Sequence, residues 1–108
     1  MQITFIIPCY NASKIIDENN KKLNKFIKKA KIKGKIIYIN DGSEDNTLKE
    51  LKKIKSKNIK IINNKYNLGK SKSIINVLKT INAKKVVLID CDLPYFRYLR
   101  TTIKNLRK

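Results

Sequence analysis

Histidine is absent from the sequence, cysteine occurs only twice, arginine three times, and just eight residues are acidic. Without His, and with no Cys-x-x-Cys spacing, the chain cannot build a His- or Cys-rich zinc site, and Cys9 and Cys91 alone make no disulfide framework. No apolar run approaches the ~20 residues of a membrane-crossing helix. The apolar start from Ile3 to Ile7 ends at Pro8 with no basic segment before it, unlike a secretion signal. The expectation is a cytoplasmic chain. Nothing divides it: there is no Gly/Ser-rich linker and no internal repeat. Its 108 residues read as one domain over residues 1–108. A chain of this size buries about two-thirds of its unfolded surface, enough for a core without staples, and 42% hydrophobic residues argue against disorder.

What is abundant is lysine. Of 26 basic residues all but Arg97, Arg100 and Arg107 are Lys, and the formal charge is +18. Lys, Ile and Asn supply about half the chain, a skew that base composition of the coding DNA produces as readily as selection does. The field reads either as a solvated surface or as attraction to nucleic acid, anionic lipid or phosphorylated substrates.

Four short apolar runs rich in β-branched residues, Ile3–Ile7, Ile36–Ile39, Ile59–Ile62 and Val86–Ile89, have the composition of strands covered on both faces. Longer segments of helical spacing separate them. Ser13 is placed to cap a helix carrying Asp17 and Glu18 in its first turn and Ile16, Leu23, Phe26, Ile27 and Ala30 on its apolar face, with Gly34 closing it. Thr47 and Glu50 have capping-box spacing ahead of Leu48, Leu51 and Ile54. A third helix is expected over about 70–81, and a fourth would carry Phe96, Leu99, Ile103 and Leu106, an apolar stripe that a partner chain would have to cover. Alternation of this kind implies a parallel sheet with right-handed crossovers, and in such sheets ligands bind outside the carboxyl ends of the strands.

Those ends read Pro8-Cys9-Tyr10-Asn11, Asn40-Asp41-Gly42-Ser43, the loop from Asn64 to Lys70, and Asp90-Cys91-Asp92. Two aspartates one residue apart after an apolar strand can direct carboxylates at a hard divalent cation, although such pairs are also common in turns. Gly69-Lys70-Ser71 is no P-loop, because position 64 is Asn where that motif needs Gly. A receiver domain would want acidic residues after the first strand, where this chain has Pro8-Cys9-Tyr10.

Taken in order, Ile-Ile-Pro-Cys-Tyr-Asn at 6–11, Asn-Asp-Gly-Ser-Glu-Asp-Asn-Thr at 40–47, Asn-Leu-Gly-Lys at 67–70 and Asp-Cys-Asp-Leu at 90–93 resemble the family-2 glycosyltransferases. The resemblance covers residues 3 to about 95. It implies a Rossmann-like GT-A half-domain: an α/β fold with a parallel sheet of about four strands in the order 3-2-1-4 and helices on both faces. It implies a UDP- or GDP-sugar as partner, with Pro8, Tyr10 and Asn11 lining the nucleotide pocket and Asp41 accepting a hydrogen bond from the base. An ionised carboxylate, being acceptor-only, suits that task. Gly42 fits the tight turn, while Ser43, Asp45 and Thr47 read equally as a turn and helix cap. Gly69 would shape its loop and Lys70 face the donor phosphates, and Asp90 and Asp92 would hold Mn²⁺ or Mg²⁺. Leu93 and Tyr95 after the acidic pair lean toward the dolichol-phosphate mannosyltransferase branch, whose acceptors are polyprenyl phosphates, which would place the chain peripherally at an anionic membrane. The strand order would also bring Cys9 and Cys91 together, either as small packing residues or as a regulatory thiol pair.

The pattern is departed from at Ser71, Val77 and Asn40, and no residue matches the carboxylate base that removes the acceptor's proton in sugar transfer. The resemblance therefore implies a truncated domain, with the donor half present and the acceptor half absent, as in a natural short protein, one part of a split enzyme, a truncated product or a fragment. The competing expectation is a non-catalytic basic module. Tyr95, Phe96, Arg97, Tyr98 and Arg100 form its sole aromatic and Arg cluster, and the acids at the strand ends argue against nucleic acid.

Overall fold

The computed structural model describes residues 2–91. The expected fourth helix, Asp92 and the aromatic and Arg cluster lie outside the described residues. Strands β1 (Gln2–Cys9), β2 (Lys33–Asp41), β3 (Ile59–Asn64) and β4 (Val86–Leu88) alternate with helices α1 (Ile16–Lys29), α2 (Thr47–Lys53) and α3 (Lys70–Leu78). The sheet is parallel throughout in the order β3-β2-β1-β4, as expected.

The strand composition explains the layering. Successive residues of a strand face opposite sides, and here both sides are apolar. Ile3, Phe5, Ile7 and Cys9 of β1 join Ile36 and Tyr38 of β2 against Ile16, Leu23, Phe26 and Ile27 of α1 and Leu51 of α2. On the other side Ile6, Ile37 and Ile39 meet Ile74 and Val77 of α3. Helices thus cover both faces, α3 being the one helix on its face among the described residues.

Several element ends differ from the sequence-based expectation. Ser13 caps nothing, and α1 begins at Ile16 after Ile15 with no side-chain cap. Its end is not Gly34 but Ala30, followed by Lys31 in the left-handed region at φ 56°. Gly34 lies inside β2 opposite Ile3, where a Cβ would come within 3.1 Å of the Ile27 methyl carbons, so its smallness serves helix-on-sheet packing. The capping box at Thr47 does not form either. Thr47 is the first helical residue, its own N–H donating to Asp45 Oδ1 at 2.9 Å. The third helix stops at Leu78, short of Ile81.

The fourth strand is also one residue shorter than its apolar run, and Pro8 accounts for it. Thr4 N donates to Lys85 O and Ile89 N to Ile6 O, so the even-numbered residues of β1 turn their backbone groups toward β4. Pro8 is next in that series and has no N–H to give. The β4 ladder, paired at Thr4, Phe5 and Ile6, runs no further, while β2 pairs with β1 along its whole length.

Candidate functional site

The carboxyl ends of the strands are joined by an interlocking set of loop bonds. Asn11, at φ 50°, donates its N–H to Ser43 Oγ at 2.9 Å and accepts the N–H of Glu44 on Oδ1 at 2.9 Å. Ala12 N donates to Thr47 Oγ1 at 2.8 Å, and Ser13 N to Asp45 Oδ2 at 3.2 Å. The Thr47 hydroxyl in turn donates to Asp45 Oδ1. Ser43, Asp45 and Thr47 therefore tie the loop after β2 to the loop after β1. The little burial Asp45 has opposes its ionisation, but the bonds from Thr47 and Ser13 outweigh it and hold the carboxyl below its usual range.

Asp41, at the end of β2, is buried and clamps a second loop. Its Oδ1 accepts the N–H of Leu68 at 2.8 Å and Asn64 Nδ2 at 3.1 Å, and its Oδ2 accepts the N–H of Gly69 at 3.0 Å. Asn64 also donates to Ser73 Oγ at 2.9 Å. Burial works against the charge on Asp41, yet the bonds from Leu68, Asn64, Ser73 and Gly69 win and set its pKa below the ordinary carboxylate value. Oδ1 already takes two donors and Oδ2 one, so of the roughly four acceptor positions of a carboxylate at most one, on Oδ2, is left for a ligand.

Gly69, at φ 92°, precedes the first residue of α3, Lys70. The Lys70 ammonium binds Asp90 Oδ1 across the gap between α3 and the end of β4, both side chains being more than half exposed. Tyr10 is half exposed at the end of β1, beside the partly exposed Pro8 and the exposed Asn11. The structure thus brings Pro8, Tyr10, Asn11, Asp41, Gly69, Lys70 and Asp90 to one end of the sheet. Among the described residues, no three His, Cys, Asp or Glu side chains converge to hold a metal ion. Asp90 is nonetheless a hard, exposed oxygen donor paired with the Lys70 ammonium, which sits at the end of a flexible four-carbon stem.

Reading by motif missed Asn64 and Ser73, the side chains that fix Asp41. Ser73 carries a signal: a small polar residue on the apolar stripe of α3, 1% exposed. Cys9 and Cys91 do meet, with Cys9 Sγ donating to Cys91 Sγ at 2.7 Å. That bond, and then burial, push the Cys9 thiol far above its usual range. Asn40 is buried with Oδ1 unpartnered while its Nδ2 donates to Asn63.

At the opposite, amino end of the sheet a groove of about 850 Å³ is lined by Lys35, Lys57, Lys60, Lys84 and Lys85 and by no carboxylate. Charge is therefore segregated, with the acids at the end where the loops interlock.

A family model described as Glycosyl transferase family 2 matches residues 4–107. An uncharacterised glycosyltransferase of Haemophilus influenzae is 39% identical over 92 residues, 83% of this chain and 28% of the relative. The poly-β-1,6-N-acetyl-D-glucosamine synthase of Staphylococcus aureus is 37% identical over 93 residues, 83% of this chain and 21% of the relative. Among solved structures, the mannosyltransferase PcManGT from Pyrobaculum calidifontis, in complex with GDP-mannose and Mn²⁺, superposes with a TM-score of 0.71 at 19% identity over 83% of this chain and 27% of the other. At that identity the likeness concerns the fold, which is that of the GT-A glycosyltransferases. The chain spans less than a third of the length of these relatives.

Proposed function

Because the chain belongs to glycosyl transferase family 2, we propose that its strand-end site binds a nucleoside-diphosphate sugar with a divalent cation and forms the donor-binding part of a glycosyltransferase. The contact of Lys70 with Asp90 carries the reading. It puts one cationic and one anionic group, both exposed, at the carboxyl end of the sheet, where a diphosphate and its counter-ion need such a pair. The complex of PcManGT with GDP-mannose and Mn²⁺ supports the same ligand class.

In this reading Asp90 and Asp92 hold Mn²⁺ or Mg²⁺, and Lys70 turns from Asp90 to the phosphates. Asp41 offers its remaining acceptor position, on Oδ2, to the base, and Pro8, Tyr10 and Asn11 form the wall of the nucleotide pocket. The bound cation would offset the charge developing on the leaving nucleoside diphosphate. The chain's own residues orient the donor, and none of them is assigned to deprotonate the acceptor. Calorimetric titration with UDP, GDP and their sugar conjugates, with and without Mn²⁺, tests this. Binding that requires Mn²⁺ and weakens at least about tenfold in Asp90→Asn is expected, a loss of roughly 1.4 kcal/mol or more. A folded chain that binds none of them refutes it.

For the acceptor we propose a polyprenyl phosphate, supported by the +18 charge, which favours an anionic membrane surface. Co-sedimentation with phosphatidylglycerol vesicles at low salt, fading as salt shortens the screening length, is expected. Absence of binding at low salt would remove this acceptor class.

A further inference from the structure

Cys9 closes β1 and Cys91 follows β4, and extending the pairing of Thr4 with Val86, Phe5 with Val87 and Ile6 with Leu88 sets the two cysteines opposite one another. Neighbouring strands lie about 4.8 Å apart, inside the roughly 4.4–6.8 Å that disulfides span between Cα atoms. The thiols have already closed that gap. Their sulfurs are 2.7 Å apart, nearer than the ~3.5–4.0 Å at which even non-bonded carbon atoms rest. The loop is pinned from a third element as well, because Asn19 Nδ2 of α1 donates to Cys91 O at 3.1 Å. Cys9 is buried and Cys91 only partly so, which makes Cys91 the more accessible of the two residues to a reagent.

We infer that Cys9 and Cys91 form a reversible disulfide that staples the carboxyl ends of β1 and β4 and holds Asp90 in place. The Cys91 thiolate attacks a low-molecular-weight disulfide such as oxidised glutathione, forming a mixed disulfide and releasing one glutathione thiol. The Cys9 thiolate then attacks the Cys91 sulfur and releases the second. Both protein thiols lose their protons, and the two electrons pass to the oxidant, which leaves as two reduced thiols. Both sulfurs pack on the α1 side of the sheet, whereas Asp90 meets Lys70 of α3 on the other. The staple therefore leaves the nucleotide side open and acts on it by fixing the backbone next to Asp90. Formation of the bond is independent of the donor-site reading; only its effect on ligand affinity rests on that reading.

The test treats the full chain with oxidised glutathione. Expected are a mass two hydrogens lower under non-reducing conditions and a melting temperature raised by about 10 °C or more, since the bond closes a loop of 82 residues. Dithiothreitol should reverse both, and Cys91→Ser and Cys9→Ala should show neither. GDP with Mn²⁺ should bind the oxidised form about three- to tenfold more tightly, because the loop is already ordered. Glutathione adducts or linked dimers in place of the internal bond, or a lowered melting temperature, would overturn the staple. Equal affinity in the two forms would overturn its coupling to Asp90. If neither form binds GDP, the donor-site reading fails, while mass and melting temperature still decide the staple.

Discussion

Gly42→Ala should lose roughly 2–5 kcal/mol of stability, a large part of the 5–15 kcal/mol that holds a typical domain together. Two costs add. Gly42 sits at φ +67°, where an L side chain pays about 1–2 kcal/mol. Its Cβ would also fall 2.3 Å from Asn67 N and 2.4 Å from Tyr66 C, backbone atoms that give way only if the whole loop moves, and overpacking of that kind costs typically 1–3 kcal/mol or more. Gly69→Ala is the internal control. Gly69 is also at positive φ, +92° with ψ 153°, a region essentially reserved for glycine, but a Cβ there meets nothing within 4 Å, so only the torsional cost of about 1–3 kcal/mol applies. Urea unfolding of both variants separates the two effects. Equal losses would mean that the loop from Tyr66 to Asn67 is free to retreat from Gly42.

Asp41→Ala should be about as damaging, at roughly 3–5 kcal/mol. It removes the acceptor of the Leu68 and Gly69 N–H groups and of the Asn64 amide, and charge-assisted bonds to a buried carboxylate contribute about 1.5–3 kcal/mol each before the loop relaxes. The pH dependence distinguishes this clamp from simple packing. The folded pKa of Asp41 is depressed, so the unfolded chain takes up the proton first on acidification. The stabilisation is complete above the ordinary carboxylate value of about 3.9 and disappears as pH falls through the folded value. Asp41→Asn, which cannot titrate, should be less stable at neutral pH and show a shallower loss between about pH 5 and 3 than the unmodified chain. A slope unchanged in Asp41→Asn would show that Asp41 contributes nothing to acid sensitivity. Some slope should persist in either case, because Asp45 is depressed too.

The parts of the fold that were legible in the sequence are those whose cause is local. Runs such as Ile36-Ile37-Tyr38-Ile39 declare a two-sided buried strand by composition, and Leu23, Phe26 and Ile27 declare a helix face by spacing. The strand order came from the resemblance of four ordered motifs, not from periodicity. What escaped has distant causes. Thr47 has the appearance of a cap, yet its hydroxyl is engaged by Ala12, 35 residues away, so the helix starts without it. Gly34 looks like a helix stop, but it is small because Ile27 presses on it. Asp41 stood out as a strand-end acid, while its partners Asn64 and Ser73 are ordinary polar residues that acquire meaning only when β3 and α3 are set beside β2. For the candidate site, the motifs located the residues and the fold assembled them, but which ligand atoms they meet was never encoded in spacing.

The placement of β1 between β2 and β4 also has a kinetic consequence. Thr4 to Ile6 pair on one side with residues 35–37 and on the other with Val86 to Leu88, which follow 82 residues later. At the usual synthesis rate of about 5–20 residues per second, the edge of the most apolar strand that meets β4 waits roughly 2.5–10 s longer for its partner than the edge that meets β2. Through that interval Ile3 to Ile7 present an open hydrogen-bonding edge, a template for pairing with another nascent chain. The short β4 is thus the last of the described strands to join the sheet, and any slowing of translation before Val86 lengthens the aggregation-prone window of the nascent protein.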